Sequence, residues 1–365
     1  MTDTTRHYRQ RRRYFIILLI LLALMALMAL FVALWVGSVP IAPGVAWALL
    51  TGSGGDGLDA EIVLRLRLPR ALTAFATGGL LALSGALLQV LLRNPLAEPY
   101  LLGVSGGAAV GALSVLMAGL GGGWLRGAAC YGALVSTVLV LGLSRGGPGA
   151  WHTTRVLLTG VVVAAGWGAV VSLLLAISPE AGLRGMLFWL MGDLGQSQAP
   201  EIALATLALG LVIALALAPY LNIIARGELT AAALGVAVDE IRLAVYLLSS
   251  VLTAVAVTEG GSIGFVGLIV PHIIRVIVGV DHRLLLPATV LLGGVLLLIT
   301  DTVARTIAAP RELPVGVVTA LIGVPVFLVL LHVNSYSSTN VRKNNHVRAN
   351  HCTRHGSCLP TFRDS

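Results

Sequence analysis

The sequence predicts an all-α, polytopic integral membrane protein with about ten transmembrane helices and both termini in the cytoplasm. Of its 365 residues, 57% are hydrophobic and 11% are charged, whereas a soluble domain carries about a quarter charged residues. Three long stretches, Tyr14 to Val36, Ala71 to Leu92 and Val156 to Pro179, contain no charge. Each meets the roughly 20-residue length that crosses a bilayer as helix. Glycine is abundant at 43 residues and aromatics are only 5%, which suits close helix packing in lipid.

The apolar stretches fall at 14–36, 71–92, 100–120, 128–143, 156–177, 202–220, 241–258, 265–280, 286–304 and 314–332. The first follows Arg11-Arg12-Arg13. It is longer than the apolar region of a signal peptide and lacks a small-residue cleavage site, so it reads as a retained helix. The third, fourth and eighth are expected to be short or broken by Gly and Pro. Residues 1–13 form a basic cytoplasmic amino end, 14–332 the transmembrane domain, and 333–365 a polar tail expected to be disordered.

Charge sets the orientation. Residues 1–13 carry five Arg and one Asp, and residues 342–365 carry four Arg, one Lys and one Asp. With the amino end inside, 17 of the 24 basic residues are cytoplasmic, as the positive-inside bias requires. The basic termini therefore need no nucleic acid to explain them. Seven basic residues face outward: Arg65, Arg67, Arg70, Arg126, Arg184, Arg305 and Arg311. Three of them lie within six residues.

No catalytic chemistry is visible. The sole lysine, Lys343, is followed by Asn, so no Gly-Lys-Ser/Thr phosphate loop exists. HExxH, GxSxG and paired-carboxylate patterns are also missing. Glycine clusters such as Gly103 to Gly111 read as helix packing. Cys130, Cys352 and Cys358 make no disulfide framework. His351, Cys352, His355 and Cys358 have metal-binding composition, but an incidental Cys and His content is the simpler reading, and no metal is expected.

Three places carry polar residues of interest. Arg67-Leu68-Pro69-Arg70 either snorkels to headgroups or, with Arg305, meets an acidic partner outside. Asp301 lies four residues before Arg305, a spacing at which a helical pair can neutralise itself. The inner loop from Arg226 to Val236 contains Glu228, Leu229, Thr230, Ala231, Ala232, Ala233 and Leu234, which are good helix formers, and then Gly235, which would terminate a short helix. Such a helix is either a structural loop or a lever for a soluble partner. Pro271-His272 invites a metal reading, though a structural role fits better.

The segments Arg67-Leu68-Pro69-Arg70, Ser84-Gly85-Ala86, Arg93-Asn94-Pro95-Leu96-Ala97-Glu98-Pro99, Leu102-Gly103-Val104-Ser105, Gly264 to Arg275, Asp281-His282-Arg283, Asp301 to Arg305 and Glu312-Leu313-Pro314-Val315-Gly316 resemble the permease family of iron-siderophore, haem and cobalamin ABC importers. The resemblance runs in order from about residue 60 to residue 331; the polar tail departs from it. It implies a homodimer, two ATPase subunits inside that bind ATP and Mg²⁺, and one periplasmic binding protein outside. It also implies a bacterial inner-membrane location and no permanently bound cofactor. Arg67, Arg70 and Arg305 match positions that dock the binding protein. Glu228 to Gly235 match the coupling segment that enters the ATPase. Asn94, Leu96, His152 and Thr153 match the cytoplasmic gate. Overall similarity favours haem as cargo, then ferric siderophore, then cobalamin.

The rival reading is an ion-coupled secondary transporter or channel. Such proteins need ionisable groups near the midplane, and the centres of the expected spans are almost free of charge.

Overall fold

The structure is a computed structural model that describes residues 2–37, 39–53, 57–144, 153–195, 200–330 and 332. The expected polar tail at 333–365, its cysteines and histidines, and gate candidate His152 lie outside the described residues. Among the described residues the regular structure is entirely helical. In chain order the helices are α1 (Thr2–Trp35), α2 (Pro43–Leu50), α3 (Leu58–Ala60), α4 (Leu68–Leu91), α5 (Val104–Met117), α6 (Gly123–Ser144) and α7 (Thr153–Ile177). They continue with α8 (Glu180–Leu190), α9 (Pro200–Ile224), α10 (Glu228–Ala233), α11 (Val238–Gly260), α12 (Val266–Val278) and α13 (His282–Thr306), then α14 (Val315–Leu330).

Seven of these are long and apolar enough to cross a membrane, and α5, α12 and α14 are shorter apolar helices. They match the ten expected stretches one for one. The third and eighth are short, with 14 and 13 residues. The fourth departs from expectation: α6 is an unbroken helix of 22 residues. Glycine weakens a helix in water but is common in membrane helices, and here Gly132 lets α6 lie against the backbone of α5 at Gly107. Helices α2 and α8 are not among the ten stretches because they are too short for a length criterion.

α4 is the centre of the body that runs to Ala320. Its best apolar window, within the continuous helix Leu58–Leu91, is 89% buried. Helices α13, α11, α9 and α12 all pack on it. Lipid gives helices no hydrophobic reason to associate, so contact relies on close packing and interhelical hydrogen bonds. Both are present. A Cβ on Gly78 would lie 2.2 Å from the Gly293 carbonyl oxygen, and one on Gly85 would lie 1.9 Å from that of Gly267. The Ser84 hydroxyl meets that of Thr253 at 2.8 Å, and the Gln89 amide donates to the Leu268 carbonyl at 3.1 Å.

The peripheral helices are the opposite case. The apolar window of α1 is 6% buried and that of α7 is 11% buried. Ile17, Leu21, Leu24 and Leu27 of α1, and Leu158, Val162 and Leu173 of α7, stand exposed. Surface of this kind belongs against lipid or another apolar chain.

Candidate functional site

The polar groups gather at the two ends of α4, which at 1.5 Å per residue lie about 36 Å apart. The first cluster sits where α4 begins. The chain enters through Glu61–Arg67, wound as a π-helix, a form that appears mostly as short insertions in α-helices and often at functional sites. Arg65 projects outward and pairs with Glu61 at 3.2 Å. Arg67 is buried, and its guanidinium donates to the carbonyls of Leu34, at 2.8 Å, and of Val39. Arg70 donates Nε and Nη2 to Asp301 Oδ1 at 3.1 and 2.9 Å, and Nη1 to Glu312 Oε2 at 2.8 Å. Arg305 Nε stands 3.1 Å from Asp301 Oδ2.

These residues surround an open pocket of about 320 Å³ lined by Arg65, Arg67, Arg70, Arg305 and Glu312. Arg67, Arg70 and Arg305, named from the sequence as one group, do come together. The i,i+4 pairing of Asp301 with Arg305 is present, as its spacing allows. What the sequence conceals is that Asp301 also holds Arg70 and that Glu312 joins them. Neither partner is near Arg70 in the chain, so no local pattern marks the pair.

The second cluster sits where α4 ends. Leu92 closes the helix and Arg93 follows with φ +47°. The Arg93 amide bonds to the Val90 carbonyl at 3.2 Å and the Asn94 amide to the Gln89 carbonyl at 3.2 Å. This double closure is the Schellman pattern. Asn94 then shapes the turn: its Oδ1 accepts the Leu96 amide at 2.9 Å. Leu96 is 44% exposed. Thr153, another gate candidate, opens α7.

Beside this turn lies α10. It spans Glu228–Ala233, with Leu234 as its C-cap and Gly235 at φ +76° beyond. The helix thus stops where the glycine predicts. Ala231 is fully buried against the body while Leu229 is 89% exposed and Leu234 65% exposed. Glu228 Oε1 pairs with Arg93 Nη1 at 3.1 Å and also with Arg242 Nη2. Arg242 stands on the first turns of α11 and its side chain is buried. The sequence singles out Glu228 but offers no local sign of Arg93 or Arg242 as its partners.

Between the clusters, α11 and α12 are separated by a short irregular stretch. Tyr100 holds it: its hydroxyl donates to the Ile263 carbonyl and accepts the Ile263 amide, both at 2.7 Å. Glu98 accepts the Phe265 amide at 2.8 Å. Backbone off the helix at membrane depth survives only when its polar groups are satisfied within protein or by water, and these side chains do that. His272 is half-buried on α12.

Comparison with known proteins places this geometry. Residues 20–333 match the model of the FecCD transport family. The chain is 44% identical over 284 residues to the hemin transport system permease protein of Yersinia pestis, covering 74% of this chain and 83% of that one. It is 41% identical over 310 residues to the cobalamin import system permease protein of Halobacterium salinarum, covering 80% and 82%. A solved metal-chelate type ABC transporter, in an inward-facing conformation, superimposes with a TM-score of 0.75 at 35% identity, over 86% of this chain and 98% of that one. The chain belongs to the FecCD transport family of multi-pass membrane permeases.

Proposed function

We propose that two copies of this chain form the membrane path of an ABC importer in a bacterial inner membrane. The cargo is a bulky chelate, haem or a ferric siderophore or cobalamin, handed over by a periplasmic binding protein. Two ATPase subunits, each binding ATP and Mg²⁺, drive transfer from the inner side. The observation that carries this is α10: a short helix rooted by buried Ala231, offering Leu229 and Leu234 to solvent, beside the turn of Asn94 and Leu96. A short helix rooted on one face and presenting apolar side chains on the other suits a groove on a soluble partner.

In this reading Glu228 to Gly235 couple to the ATPase, and Asn94, Leu96, His152 and Thr153 form the inner gate. Arg67, Arg70 and Arg305 organise the outer surface on which the binding protein docks. The exposed face of α7 is offered to the second copy or to lipid. The names of relatives divide between hemin and cobalamin, so similarity does not rank the cargoes.

The test is reconstitution of the permease with its ATPase and binding protein in vesicles. One of haem, ferric siderophore or cobalamin should stimulate ATP hydrolysis and accumulate inside. Uptake driven by an ion gradient without ATP would overturn the reading in favour of a secondary transporter.

A further inference from the structure

Three features at the inner end of α4 have no role in the description so far: the left-handed backbone of Arg93, the double use of one Glu228 oxygen, and the buried guanidinium of Arg242. We propose that Glu228 is a mechanical relay that ties α10 to the gate turn through Arg93. The inference rests on the reading of α10 as the ATPase contact and adds the link by which its movement reaches Leu96.

The backbone argument comes first. A Schellman closure places its left-handed residue one position past the helix, and glycine is the usual occupant because it has no Cβ to clash. Arg93 occupies it with φ +47°. Glycine would make the same turn without strain, so the turn itself does not require arginine. Strained positions of this kind cluster where function holds them. What Arg93 contributes is its side chain. Nη1 reaches Glu228 Oε1 at 3.1 Å and Nη2 reaches the Ile224 carbonyl at the end of α9 at 3.5 Å. The guanidinium therefore clasps the short connection that carries α10.

The ion geometry gives the link a direction. Oε1 of Glu228 meets both Arg93 and Arg242. The Arg242 side chain is 7% exposed and also lies 3.7 Å from Asp239, whereas that of Arg93 is 43% exposed. Arg242 is the fixed post on α11, and Arg93 is the loose arm. When α10 shifts, Glu228 shifts with it, and its distance to Arg93 changes. Arg93 adjoins Asn94, whose carboxamide sets the Leu96 amide, so the strain at Arg93 is relieved or imposed at the gate. A solvent-exposed ion pair is weak, which suits a contact that must open and close in each cycle.

The experiment uses the assembled transporter, with Cys130, Cys352 and Cys358 replaced by serine and Leu96→Cys added as a reporter. Three quantities are read: cargo transported per ATP hydrolysed, the change in thiol labelling of Leu96→Cys on adding a non-hydrolysable ATP analogue, and the melting temperature. Arg93→Gly removes both the strain and the arm. It should melt at or above the parent, yet transport per ATP should fall at least tenfold and labelling should stop responding to nucleotide. Arg93→Lys retains a charge and should recover most of both. Glu228→Gln combined with Arg93→Gly should be no worse than either alone.

If Arg93→Gly transports with the parent's stoichiometry, the relay is wrong. A large drop in its melting temperature would assign Arg93 to the stability of the turn and also overturn the relay. If the parent Leu96→Cys does not respond to nucleotide at all, the gate and coupling reading fails instead, which is a distinct result.

Discussion

Asp301 takes Arg70 on both carboxylate oxygens and meets Arg305 Nε at 3.1 Å with Oδ2, and it is completely shielded from solvent while doing so. One acid on α13 thereby fastens the outer end of α4 and the last turn of its own helix. Removing one member of a buried ionic set leaves the others uncompensated, at a cost of about 3–5 kcal/mol. Asp301→Ala should therefore lower the melting temperature of the purified permease sharply. Asp301→Glu, which keeps the charge, should do so less. An unchanged melting temperature in Asp301→Ala would show that the cluster adds nothing to stability.

The same arrangement redefines how outer docking is best tested. Reversing Arg67, Arg70 and Arg305 together to glutamate would set new carboxylates against Asp301, and the outer end of the bundle would come apart. A gentler probe is Glu312→Gln. Glu312 is half exposed and occupies Nη1 of Arg70. Neutralising it removes the negative charge that offsets Arg70, and if Arg70 meets an acidic binding protein, affinity should rise by about fivefold, the equivalent of about 1 kcal/mol for a rim pair. The gain should fade as salt rises. An affinity that ignores both the substitution and the salt would remove Arg70 from the docking surface.

At the other end, Leu229 makes almost no contact within the chain. Leu229→Asp should leave folding untouched, since surface changes stay within about 0.5 kcal/mol. It should weaken attachment of the ATPase by about 30-fold if Leu229 fills a central pocket worth about 2 kcal/mol. Co-purification and titration of the ATPase onto the permease measure this. Undiminished binding would move the contact away from α10.

The α4 and α12 crossing can be tested through Gly85. An added methyl would meet the Gly267 carbonyl carbon and oxygen at 2.5 and 1.9 Å, and both neighbours are backbone. Gly85→Ala should destabilise by about 1–3 kcal/mol, the usual cost of overpacking. Gly166→Ala on α7, where a Cβ meets nothing within 4 Å, should not lower the melting temperature, since alanine is the better helix former, and serves as the control.

What the sequence discloses and what it conceals divide along a physical line. Hydropathy is a local property, so the ten apolar stretches are readable from residue order, as is the stop at Gly235. The fourth span is misread because glycine is weighed as it behaves in water, while Gly132 in lipid is a packing surface. Partners across the fold leave no local trace. Arg70 with Asp301, and Arg93 with Glu228, are charges whose meaning appears only when distant helices close. The short helix α8 escapes for a different reason: it has too few residues to register as a span.

The centrality of α4 also constrains the order of events during synthesis. α4 leaves the ribosome before α11, α12 and α13, yet Ser84 waits for Thr253 on α11, Gln89 for Leu268 on α12, and Arg70 for Asp301 on α13. Chains emerge amino end first, so until the later helices are made these polar groups lack their native partners, and Ser84, within the span, would be costly to leave unpaired in hydrocarbon. The native contacts of α4 are therefore completed only when α13 arrives. A ribosome stalled before α13 should then yield a nascent chain that is extracted and degraded, even though its earlier helices are each apolar enough to remain in the membrane.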